Sequence, residues 1–562
     1  MRQSCQSDIK FTKDKLMVAR KLKGLTRHYL FIALCAGIIF ATVYNIQFWT
    51  HVSSIYQSND NLTTAFKALT PFAILSLITL IFVAVFSYRL ILKPVLIILC
   101  LVTSLATYAA VNYGVIFDND MMVNIFETDS AEATAYISVS AALYFILLGL
   151  LPAIFIFRLK INYGTSIIKN MLQRIAAVIV LGVVAVAIVL PNFQIYSFIG
   201  RNNKILLKEI LPFSYMVAST KYINNTYFPE KIEYVSLGDD AKVVSSFDKP
   251  KLLFVVVGET ARAENYGALG YARDTNAYTQ QKDVITYADV SSCATTTAKS
   301  VPCMFSDMQR ENFDDSTVRY RDNVLDIMQK AGIDVTWFEN NGGCKGVCKN
   351  VKTIEIKKDE SKELCANGYC KDEIFIKHAQ DLASRVTEDT VAVFHFIGSH
   401  GPKYYERYPE HFKKFTPDCN RADVENCSLD EVKNAYDNTI LYTDYVLYSL
   451  ITKVLEQHMD RYDPVLLYIS DHGESLGENG LFLHGTPYMI APKYQTHIPM
   501  QIWMPEQTAS DMHIDLKCLK DKSKDQELSH DNLFHTLLGL MQVQTGIYKT
   551  DLDALELCRE HN

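Results

Sequence analysis

Pro464-Val-Leu-Leu-Tyr-Ile-Ser-Asp-His-Gly-Glu-Ser-Leu-Gly-Glu-Asn-Gly480 joins a run of apolar residues to a polar, glycine-rich turn. The apolar run, residues 464–469, is typical of a strand that is buried on both faces. Asp471 and His472 come directly after it, and the end of such a strand faces the crevice where open α/β sheets bind ligands. Carboxylate oxygen and imidazole nitrogen together suit Zn²⁺ or Mn²⁺. This stretch therefore predicts an α/β domain with metal ligands at one edge of its sheet.

A second buried run, Leu252–Val257, is followed by Glu259, which places another carboxylate after a strand. Three consecutive threonines, Thr295 to Thr297, lie further along in a loop between two cysteines. A hydroxyl that binds a metal ion loses its proton easily and becomes a nucleophile. Glu259, one hydroxyl of the threonine loop and the Asp-His pair would together form a tetrahedral metal site. The residues alone leave open which threonine supplies the hydroxyl.

Three long segments carry these residues, in the order Val257-Gly-Glu-Thr-Ala-Arg-Ala-Glu-Asn-Tyr266, Cys293-Ala-Thr-Thr-Thr-Ala-Lys-Ser-Val-Pro-Cys-Met-Phe-Ser306 and Asp471-His-Gly-Glu-Ser-Leu-Gly-Glu-Asn-Gly480. Together they closely resemble the phosphoethanolamine transferases of Gram-negative envelopes, which include the lipid A enzymes and the mobile colistin-resistance enzymes. That family belongs to the alkaline phosphatase/sulfatase-like superfamily. The resemblance extends through nearly the whole chain. It implies an α/β protein with a five-helix transmembrane domain and a sulfatase-like α/β/α periplasmic domain that has a mainly parallel sheet.

The resemblance also implies a role for each residue of the site. It implies one tightly bound Zn²⁺ ion, whose ligands would be Glu259, Thr297, Asp471 and His472. Thr297 would be the nucleophile as well, and only its match to the family's third threonine selects it over Thr295 and Thr296.

Further matches concern the substrates. Lys345, His400 and His484 match family residues that bind the phosphoryl group. In the family the two histidines can also take a second metal ion or protonate the leaving group. The acidic loop Asp118–Glu132 contains three residues that match positions proposed to hold the ethanolamine head group, namely Asn124, Thr128 and Glu132. A carboxylate beside an ammonium group is physically sensible.

The N-terminal third is apolar. Five stretches without Asp, Glu, Lys or Arg are each near the roughly 20 residues that cross a bilayer: Tyr29–Trp49, Ala68–Tyr88, Pro94–Gly114, Tyr136–Phe157 and Ile175–Phe193. Seven Lys and Arg residues between Lys10 and Arg27 precede the first stretch, which predicts a cytoplasmic N-terminus. An odd number of spans then places everything after Phe193 outside the cytoplasm. The resemblance implies that the membrane is the bacterial inner membrane.

We therefore expect four regions: a cytoplasmic tail (1–27), a transmembrane domain (28–193), an interfacial linker (194–246) and a periplasmic catalytic domain (247–562). Strand candidates in the last region alternate with helical stretches, which predicts a parallel sheet covered by helices. The strand candidates are Leu252–Val257, Val284–Ala288, Asp334–Phe338, Val391–Ile397, Pro464–Ile469 and Met500–Met504. The helix candidates are Asn323–Ala331, Leu429–Gln457 and Asp531–Leu540.

Ten of the 13 cysteines lie after Phe193, and an even number in an oxidising compartment indicates disulfides. Local spacing suggests Cys293–Cys303, Cys344–Cys348, Cys365–Cys370 and Cys419–Cys427, which leaves Cys518–Cys558. The first four pairs also fit the family, whereas the fifth rests on elimination. Cys344 and Cys348 could instead form half of a zinc–cysteine site, although an oxidising compartment disfavours that alternative.

The resemblance implies a zinc-dependent enzyme that transfers phosphoethanolamine from phosphatidylethanolamine to a phosphate group of lipid A. The reaction would pass through a covalent phosphothreonine-type intermediate. It would lower the negative charge of the cell surface and so confer resistance to polymyxin and other cationic peptides. We expect a monomer in the membrane. The formal net charge of -7 gives no sign of a nucleic-acid partner.

Other functions stay open. The acceptor could be a sugar or phosphate of the lipopolysaccharide core. The enzyme could also be a phosphoglycerol transferase of the same superfamily, although the Cys-rich exported domain favours the ethanolamine branch. A sulfatase is disfavoured because no Cys-x-Pro-x-Arg sequence is present. A non-catalytic membrane sensor or lipid-binding protein with this fold would lack at least one of the metal-ligating residues. All of them are present in this sequence.

Overall fold

The computed structural model describes residues 28–58, 64–128, 130–164, 166–228, 232–244 and 249–560. These residues form two compact units. The first contains residues up to 117 together with 139–218, and the second contains 118–138 together with 219 onward. The predicted cytoplasmic tail, with its basic residues and Cys5, lies outside the described residues.

The first unit is built from apolar helices. Among the described residues, four helical segments are long and apolar enough to cross a membrane: Tyr29–Gln57, Leu92–Tyr113, Val139–Arg158 and Ile167–Ser197. The predicted span Ala68–Tyr88 lies in a further helix, Thr64–Ile81, which continues as a π-helix over Phe82–Phe86. Its apolar part, Thr70–Phe86, is shorter than the other four segments, so the fifth span stays a prediction.

The helix bounds follow the apolar sequence with local breaks. Outside the acidic segment, the α-helices in the described part of residues 28–244 are Tyr29–Thr42, Ile46–Ser58, Thr64–Ile81, Leu92–Tyr113, Val139–Tyr144, Leu151–Arg158, Ile167–Val189, Phe193–Asn202, Leu206–Glu209 and Phe213–Tyr227. The predicted interfacial linker thus contains three helices before it becomes extended. The acidic segment that the sequence suggests as a loop is largely helical, over Asn119–Glu127 and Ser130–Ala135, and it belongs to the second unit.

The second unit is organised around a seven-stranded sheet. Its strands are β1 (Lys251–Gly258), β2 (Ile285–Tyr287), β3 (Asp334–Glu339), β4 (Lys352–Glu355), β5 (Thr390–His395), β6 (Asp463–Ser470) and β7 (Met500–Trp503). The spatial order is β2-β7-β6-β1-β5-β3-β4. Five strands, from β6 to β4 in this order, pair in parallel, whereas β7 and β2 add antiparallel pairs at one side. The sheet is mainly parallel, as predicted, and β4 is the one strand of it that sequence reasoning missed.

Helices cover both faces of the sheet. The central strands β1, β5 and β6 are therefore buried along their whole length. On one face, the helices Val324–Lys330 and Leu533–Leu540 belong to the same apolar cluster as alternate residues of β1. On the other face, aromatic rings of β1, β5 and the helix Phe375–Ala383 pack together. This is the α/β/α arrangement that the resemblance implies.

The remaining elements of the second unit are short apart from one helix. Its further α-helices are Thr297–Met304, Leu429–Lys453, Lys493–Thr496, Glu506–Asp511 and Leu516–Lys522. Short paired strands lie at Lys242–Val243 and Val543–Gln544, Asp289–Ser291 and Glu527–Ser529, Cys365–Ala366 and Tyr369–Cys370, and Ser475–Leu476 and Phe482–Leu483.

Five disulfides link the second unit: Cys293–Cys303, Cys344–Cys348, Cys365–Cys370, Cys419–Cys427 and Cys518–Cys558. They are the five pairs derived above from spacing and elimination. Cys344 is therefore paired within its loop rather than available as a zinc ligand.

Removing the longest-range disulfide should cost the most stability. Cys518–Cys558 closes a separation of 40 residues, whereas Cys344–Cys348 closes only four. The chain-entropy relation gives about 4 kcal/mol for the first loop and about 2 kcal/mol for the second. Double Cys→Ser variants of each pair, compared by urea unfolding of the full-length protein, should show this order. Equal losses would mean that chain entropy is not the main contribution.

Candidate active site and metal centre

The carboxyl ends of the parallel strands bring the predicted ligands together. Ser470, the last residue of β6, lies opposite Gly258, the last residue of β1, so Glu259 and Asp471 follow adjacent strand ends. The Asp471 amide donates to the Gly258 carbonyl oxygen at 2.9 Å. Gly473 is required after the pair because a Cβ there would lie 2.1 Å from the Tyr494 carbonyl oxygen. The chain can turn away from the sheet only with glycine at this position.

The turn after Glu259 is held in an unusual conformation. Thr260 adopts a φ of 55°, which is rare for a β-branched residue and indicates local strain at the site. Its amide donates to Asp471 Oδ1 at 3.1 Å, and its carbonyl oxygen accepts from the Tyr436 hydroxyl at 2.7 Å. Tyr436, from the helix Leu429–Lys453, therefore fixes the turn that presents Glu259.

The threonine loop delivers one hydroxyl to this cluster. Thr297 is the first residue of the helix Thr297–Met304, and its Oγ1 lies 3.0 Å from Glu259 Oε2 and 3.3 Å from His472 Nε2. Thr295 points elsewhere and donates to the Thr486 carbonyl oxygen at 2.7 Å. Thr296 caps the helix without a side-chain capping bond. The structure thus separates three candidates that the residues alone leave equal.

The cluster fits a divalent cation. Ligand atoms of Glu259, Asp471 and His472 all lie within 4.8 Å of one another, and all three residues are buried. Asp471 Oδ2 is buried without a hydrogen-bond partner among the described residues, which leaves an oxygen for a cation. His472 Nδ1 lies 3.0 Å from the Gly473 carbonyl oxygen, which can only accept, so Nδ1 carries the proton. The Nε2 lone pair therefore faces the two carboxylates.

Electrostatics in the cluster support the same interpretation. Burial raises the pKa of Asp471 to about 6, and burial together with the neighbouring Asp471 charge raises the pKa of Glu259. Burial, with the nearby His484, lowers the pKa of His472 to about 4. Two adjacent buried carboxylates and a neutral imidazole are a costly combination without a cation and a suitable one for binding it.

His484 and His400 lie beside the cluster. The His484 ring centroid is 4.5 Å from that of His472 and 5.7 Å from that of His400. His484 Nδ1 lies 2.9 Å from Glu474 Oε2, and Glu474 also accepts from the Tyr404 hydroxyl at 2.6 Å. Burial raises the pKa of Glu474 to about 7. Both histidines are therefore placed where they can meet a group bound at Thr297.

Other predicted site residues are not brought to the cluster by direct contacts. Lys345 lies in the loop after β3, where its Nζ donates to the Gly342 carbonyl oxygen at 2.7 Å. Thr128 Oγ1 donates to the Asn124 carbonyl oxygen at 2.7 Å, at the end of the helix Asn119–Glu127. Glu132 lies in the helix Ser130–Ala135, and its side chain lies outside what the structure describes.

The helix Asn119–Glu127 nevertheless lies next to active-site elements. Asp120 Oδ2 is 3.1 Å from the Nζ of Lys299, two residues after Thr297, and Met121 lies against Gly485, the residue after His484. Arg319 forms a second ion pair with Glu127 at 2.5 Å. The acidic segment is thus positioned beside the threonine helix.

Sequence reasoning missed a set of supporting residues. Asn341 Nδ2 donates to Glu259 Oε2 at 2.6 Å and lies 3.3 Å from His395 Nε2. His395 Nδ1 in turn lies 3.0 Å from Glu339 Oε2. His530, from the C-terminal part of the chain, accepts from the Cys293 amide at 3.0 Å and donates to the Ser470 carbonyl oxygen at 2.9 Å. The polar residues after β3 were the only sequence signal for these supporting residues. The others are distant from the cluster residues along the chain, so no local pattern indicates that they meet.

Asn341 should matter for metal affinity rather than for folding. Its amide orients the Glu259 carboxylate, and loss of such a partner typically weakens metal binding about 10- to 100-fold. We expect Asn341→Ala to bind Zn²⁺ weaker by that factor in a competition titration with a chelating dye. Asn350→Ala, at an exposed position before β4 and away from the cluster, serves as the control. Unchanged affinity in Asn341→Ala would show that the hydrogen bond does not orient the ligand.

A buried cluster that could hold a cation, with a hydroxyl at a helix N-terminus and at the carboxyl edge of a mainly parallel sheet, is typical of group-transfer enzymes. Comparison with known proteins agrees. Residues 251–543 match the sulfatase family model, and residues 74–227 match the model described as phosphoethanolamine transferase EptA/EptB.

Individual relatives cover most of the chain. Phosphoethanolamine transferase EptA of Salmonella typhimurium is 39% identical over 82% of this chain and 84% of its own. Phosphatidylethanolamine transferase Mcr-1 of Escherichia coli is 33% identical over 92% and 95%. Among solved structures, the integral membrane lipooligosaccharide phosphoethanolamine transferase A of Neisseria meningitidis matches with a TM-score of 0.90 and 33% identity, over 95% of this chain and 98% of that one. The chain belongs to the phosphoethanolamine transferase family.

Proposed function

We propose that this protein transfers phosphoethanolamine from phosphatidylethanolamine to a phosphate group of lipid A, with Thr297 as the nucleophile. The observation that carries the proposal is the position of Thr297 Oγ1, 3.0 Å from the Glu259 carboxylate and 3.3 Å from His472 Nε2. The names of the relatives support the transferred group. One relative at 28% identity, from Salmonella typhimurium, is a Kdo(2)-lipid A phosphoethanolamine 7''-transferase.

The chemistry is two successive displacements. In the first, the Thr297 hydroxyl gives its proton to His484 or His400, whose rings lie beside the cluster, an Oγ1–P bond forms, and the P–O bond to diacylglycerol breaks. The same histidine passes the proton to the leaving oxygen. In the second, a phosphate hydroxyl of the acceptor gives its proton to the histidine and attacks phosphorus, the Oγ1–P bond breaks, and Thr297 regains a proton from the histidine. The two steps share one enzyme group, which gives a ping-pong cycle.

The metal ligands would be Glu259, Thr297, Asp471 and His472. A Zn²⁺ ion held by them would lower the pKa of the Thr297 hydroxyl and offset charge on the phosphate oxygens. Glu259 is oriented by Asn341, and His472 by the Gly473 carbonyl oxygen. His484 is held by Glu474, so that one side of its ring stays directed at the site.

We place the catalytic domain in the periplasm and the apolar helices in the inner membrane. Five disulfides in the second unit require an oxidising compartment. Both proposed substrates are lipids, and holding enzyme and substrates at one surface raises their effective concentration. Adding a cationic group to a lipid A phosphate reduces negative surface charge, so polymyxin-type peptides should bind the cell less well.

A reconstituted transfer assay tests the proposal. The full-length protein is mixed with phosphatidylethanolamine and lipid A in detergent micelles, and lipid products are followed by mass spectrometry. We expect lipid A carrying one added phosphoethanolamine group, together with diacylglycerol. Phosphatidylglycerol as donor, and lipopolysaccharide core without lipid A phosphates as acceptor, serve as controls. Product from phosphatidylglycerol alone, or modification of the core alone, would refute the proposed donor or acceptor.

A further inference from the structure

A buried arginine in the segment Val257–Tyr266 holds the chain that follows the metal-ligating pair. Arg262 is 3% exposed. Its Nη1 donates to the Glu474 carbonyl oxygen at 3.1 Å and to Glu478 Oε1 at 2.7 Å. A guanidinium is charged at every physiological pH and presents its donors in a fixed fork, so these contacts are charge-assisted and directional. Arg262 therefore fastens the polar turn after β6 to the turn after β1.

The fastened chain forms a short hairpin from the paired strands Ser475–Leu476 and Phe482–Leu483, which we call the active-site hairpin. Each strand has only two residues, and a hairpin of two strands is at best marginally stable on its own. Glu478 lies in its turn, where Oε2 accepts from the Leu476 amide at 2.7 Å while Oε1 pairs with Arg262. The ion pair therefore fixes the turn of the hairpin.

The active-site hairpin connects Glu474 to a proposed catalytic histidine. Glu474 directly precedes its first strand, and His484 directly follows its second. Pairing of the strands brings Glu474 Oε2 within 2.9 Å of His484 Nδ1. The His484 ring centroid then lies 4.5 Å from that of His472. The position of the hairpin thus sets the position of the His484 ring beside the cluster.

A second side chain holds the same hairpin from the other side. Gln495 Nε2 donates to Ser475 Oγ at 2.9 Å and to the Leu483 carbonyl oxygen at 3.1 Å. Its Oε1 accepts from the Thr486 amide at 3.1 Å. Gln495 therefore keeps the strands together, whereas Arg262 holds the Glu474 backbone and the turn. Because of this division, we expect loss of Arg262 to displace the hairpin without unfolding the domain.

We propose that Arg262 is a positioning residue for His484, and that it acts through the Glu474 carbonyl oxygen and the Glu478 carboxylate. The proposal rests on the proposed function, which gives His484 its part in proton transfer. Displacing a catalytic group by about 1 Å costs on the order of 10²-fold in rate. Arg262→Gln should therefore slow transfer about 10- to 100-fold while the zinc content stays that of the wild type.

Hydrogen–deuterium exchange tests the positioning without relying on transfer. Full-length protein in detergent is labelled, and exchange is followed by mass spectrometry in peptides that cover residues 474–486. We expect Arg262→Gln to raise exchange there at least about threefold, because the Leu476 and Gly477 amides bond within the hairpin. Unchanged exchange in these peptides would overturn the proposal.

The matched control is another arginine that pairs with a buried carboxylate. Arg559 lies 3.1 Å from Asp553, whose side chain is fully buried. Arg559 lines a cavity together with Asp463, the first residue of β6, and therefore lies at the end of the strand opposite to the active site. Arg559→Gln should leave exchange in residues 474–486 unchanged. An equal increase in this variant would mean that general loosening, and not the Arg262 contacts, opens the hairpin.

A double-mutant comparison assigns the effect to His484. Arg262→Gln is introduced into the wild type and into His484→Gln, and transfer is followed by lipid mass spectrometry over incubations long enough for slow variants. We expect the 10- to 100-fold loss in the wild type and less than about threefold in His484→Gln, because no imidazole is left to position. Equal losses in both backgrounds would contradict the proposal.

Two further variants separate charge from geometry. Glu478→Gln should reproduce the loss seen in Arg262→Gln, and the two changes together should cost no more than either alone. Arg262→Lys keeps the charge beside Glu478 but not the fork, so it should recover only part of the rate. Wild-type rates in Arg262→Gln, beside an active wild type, would refute the positioning role alone. An inactive wild type would refute the proposed function, and the exchange measurement would still decide the role of Arg262.

Discussion

Replacing Thr297 with alanine should abolish phosphoethanolamine transfer while the protein stays folded and keeps its metal. The hydroxyl is the only group of the threonine loop that reaches Glu259 and His472, at 3.0 and 3.3 Å. Without it the covalent route has no nucleophile. Removing a catalytic nucleophile typically lowers the reaction rate by about 10⁴-fold or more. Transfer rates measured by lipid mass spectrometry, with zinc content measured on the same preparation, test this expectation.

The neighbouring threonine offers a matched control. Thr296 is buried, adjacent and chemically identical, yet it makes no side-chain capping bond. Thr296→Ala should therefore retain transfer within about tenfold of the wild-type rate, since only packing beside the site changes. A large loss in Thr296→Ala together with retained transfer in Thr297→Ala would reassign the nucleophile. Loss in both, with intact folding, would indicate that the loop rather than one hydroxyl is essential.

Metal removal is the second change with a large expected effect. A chelator should abolish transfer, and added Zn²⁺ should restore it, because Glu259, Asp471 and His472 form a cluster suited to a cation. Bound metal should also stabilise the fold by about 4 kcal/mol when it is present at 1,000 times its dissociation constant. Melting temperature and transfer rate, followed through removal and reconstitution, should change together.

Substitution of one ligand should reproduce this loss. His472→Ala removes the imidazole that lies 3.3 Å from Asp471 Oδ2, and we expect it to lower zinc content and activity together. His497→Gln is a suitable control, because His497 bonds Glu264 and the Ala288 carbonyl oxygen instead of the cluster. Full activity in zinc-free protein, or in His472→Ala, would contradict a catalytic role for the metal.

The fold could be predicted from the sequence where the apolar runs are long. β1 and β6 are buried on both faces, so their sequences are continuous apolar runs that predict strands within a residue of the observed bounds. β4 was missed because it is short, polar and largely exposed, with the sequence Lys-Thr-Ile-Glu.

The metal-ligating residues of the candidate site could be predicted from the sequence. The residues that hydrogen-bond to them and orient them could not. Residues at the ends of parallel strands must meet at one sheet edge, which is why Glu259, Asp471 and His472 could be grouped without coordinates. Asn341 and His530 reach the site from distant segments through single hydrogen bonds, and no local pattern indicates such contacts.

The most direct test of the account is a covalent adduct on Thr297. Purified full-length protein is incubated with phosphatidylethanolamine alone, and its peptides are mapped by mass spectrometry. We predict a phosphoethanolamine group on Thr297, with release of diacylglycerol, and no adduct in Thr297→Ala. An adduct on another residue, or transfer to lipid A in the Thr297→Ala protein, would contradict the proposed covalent route.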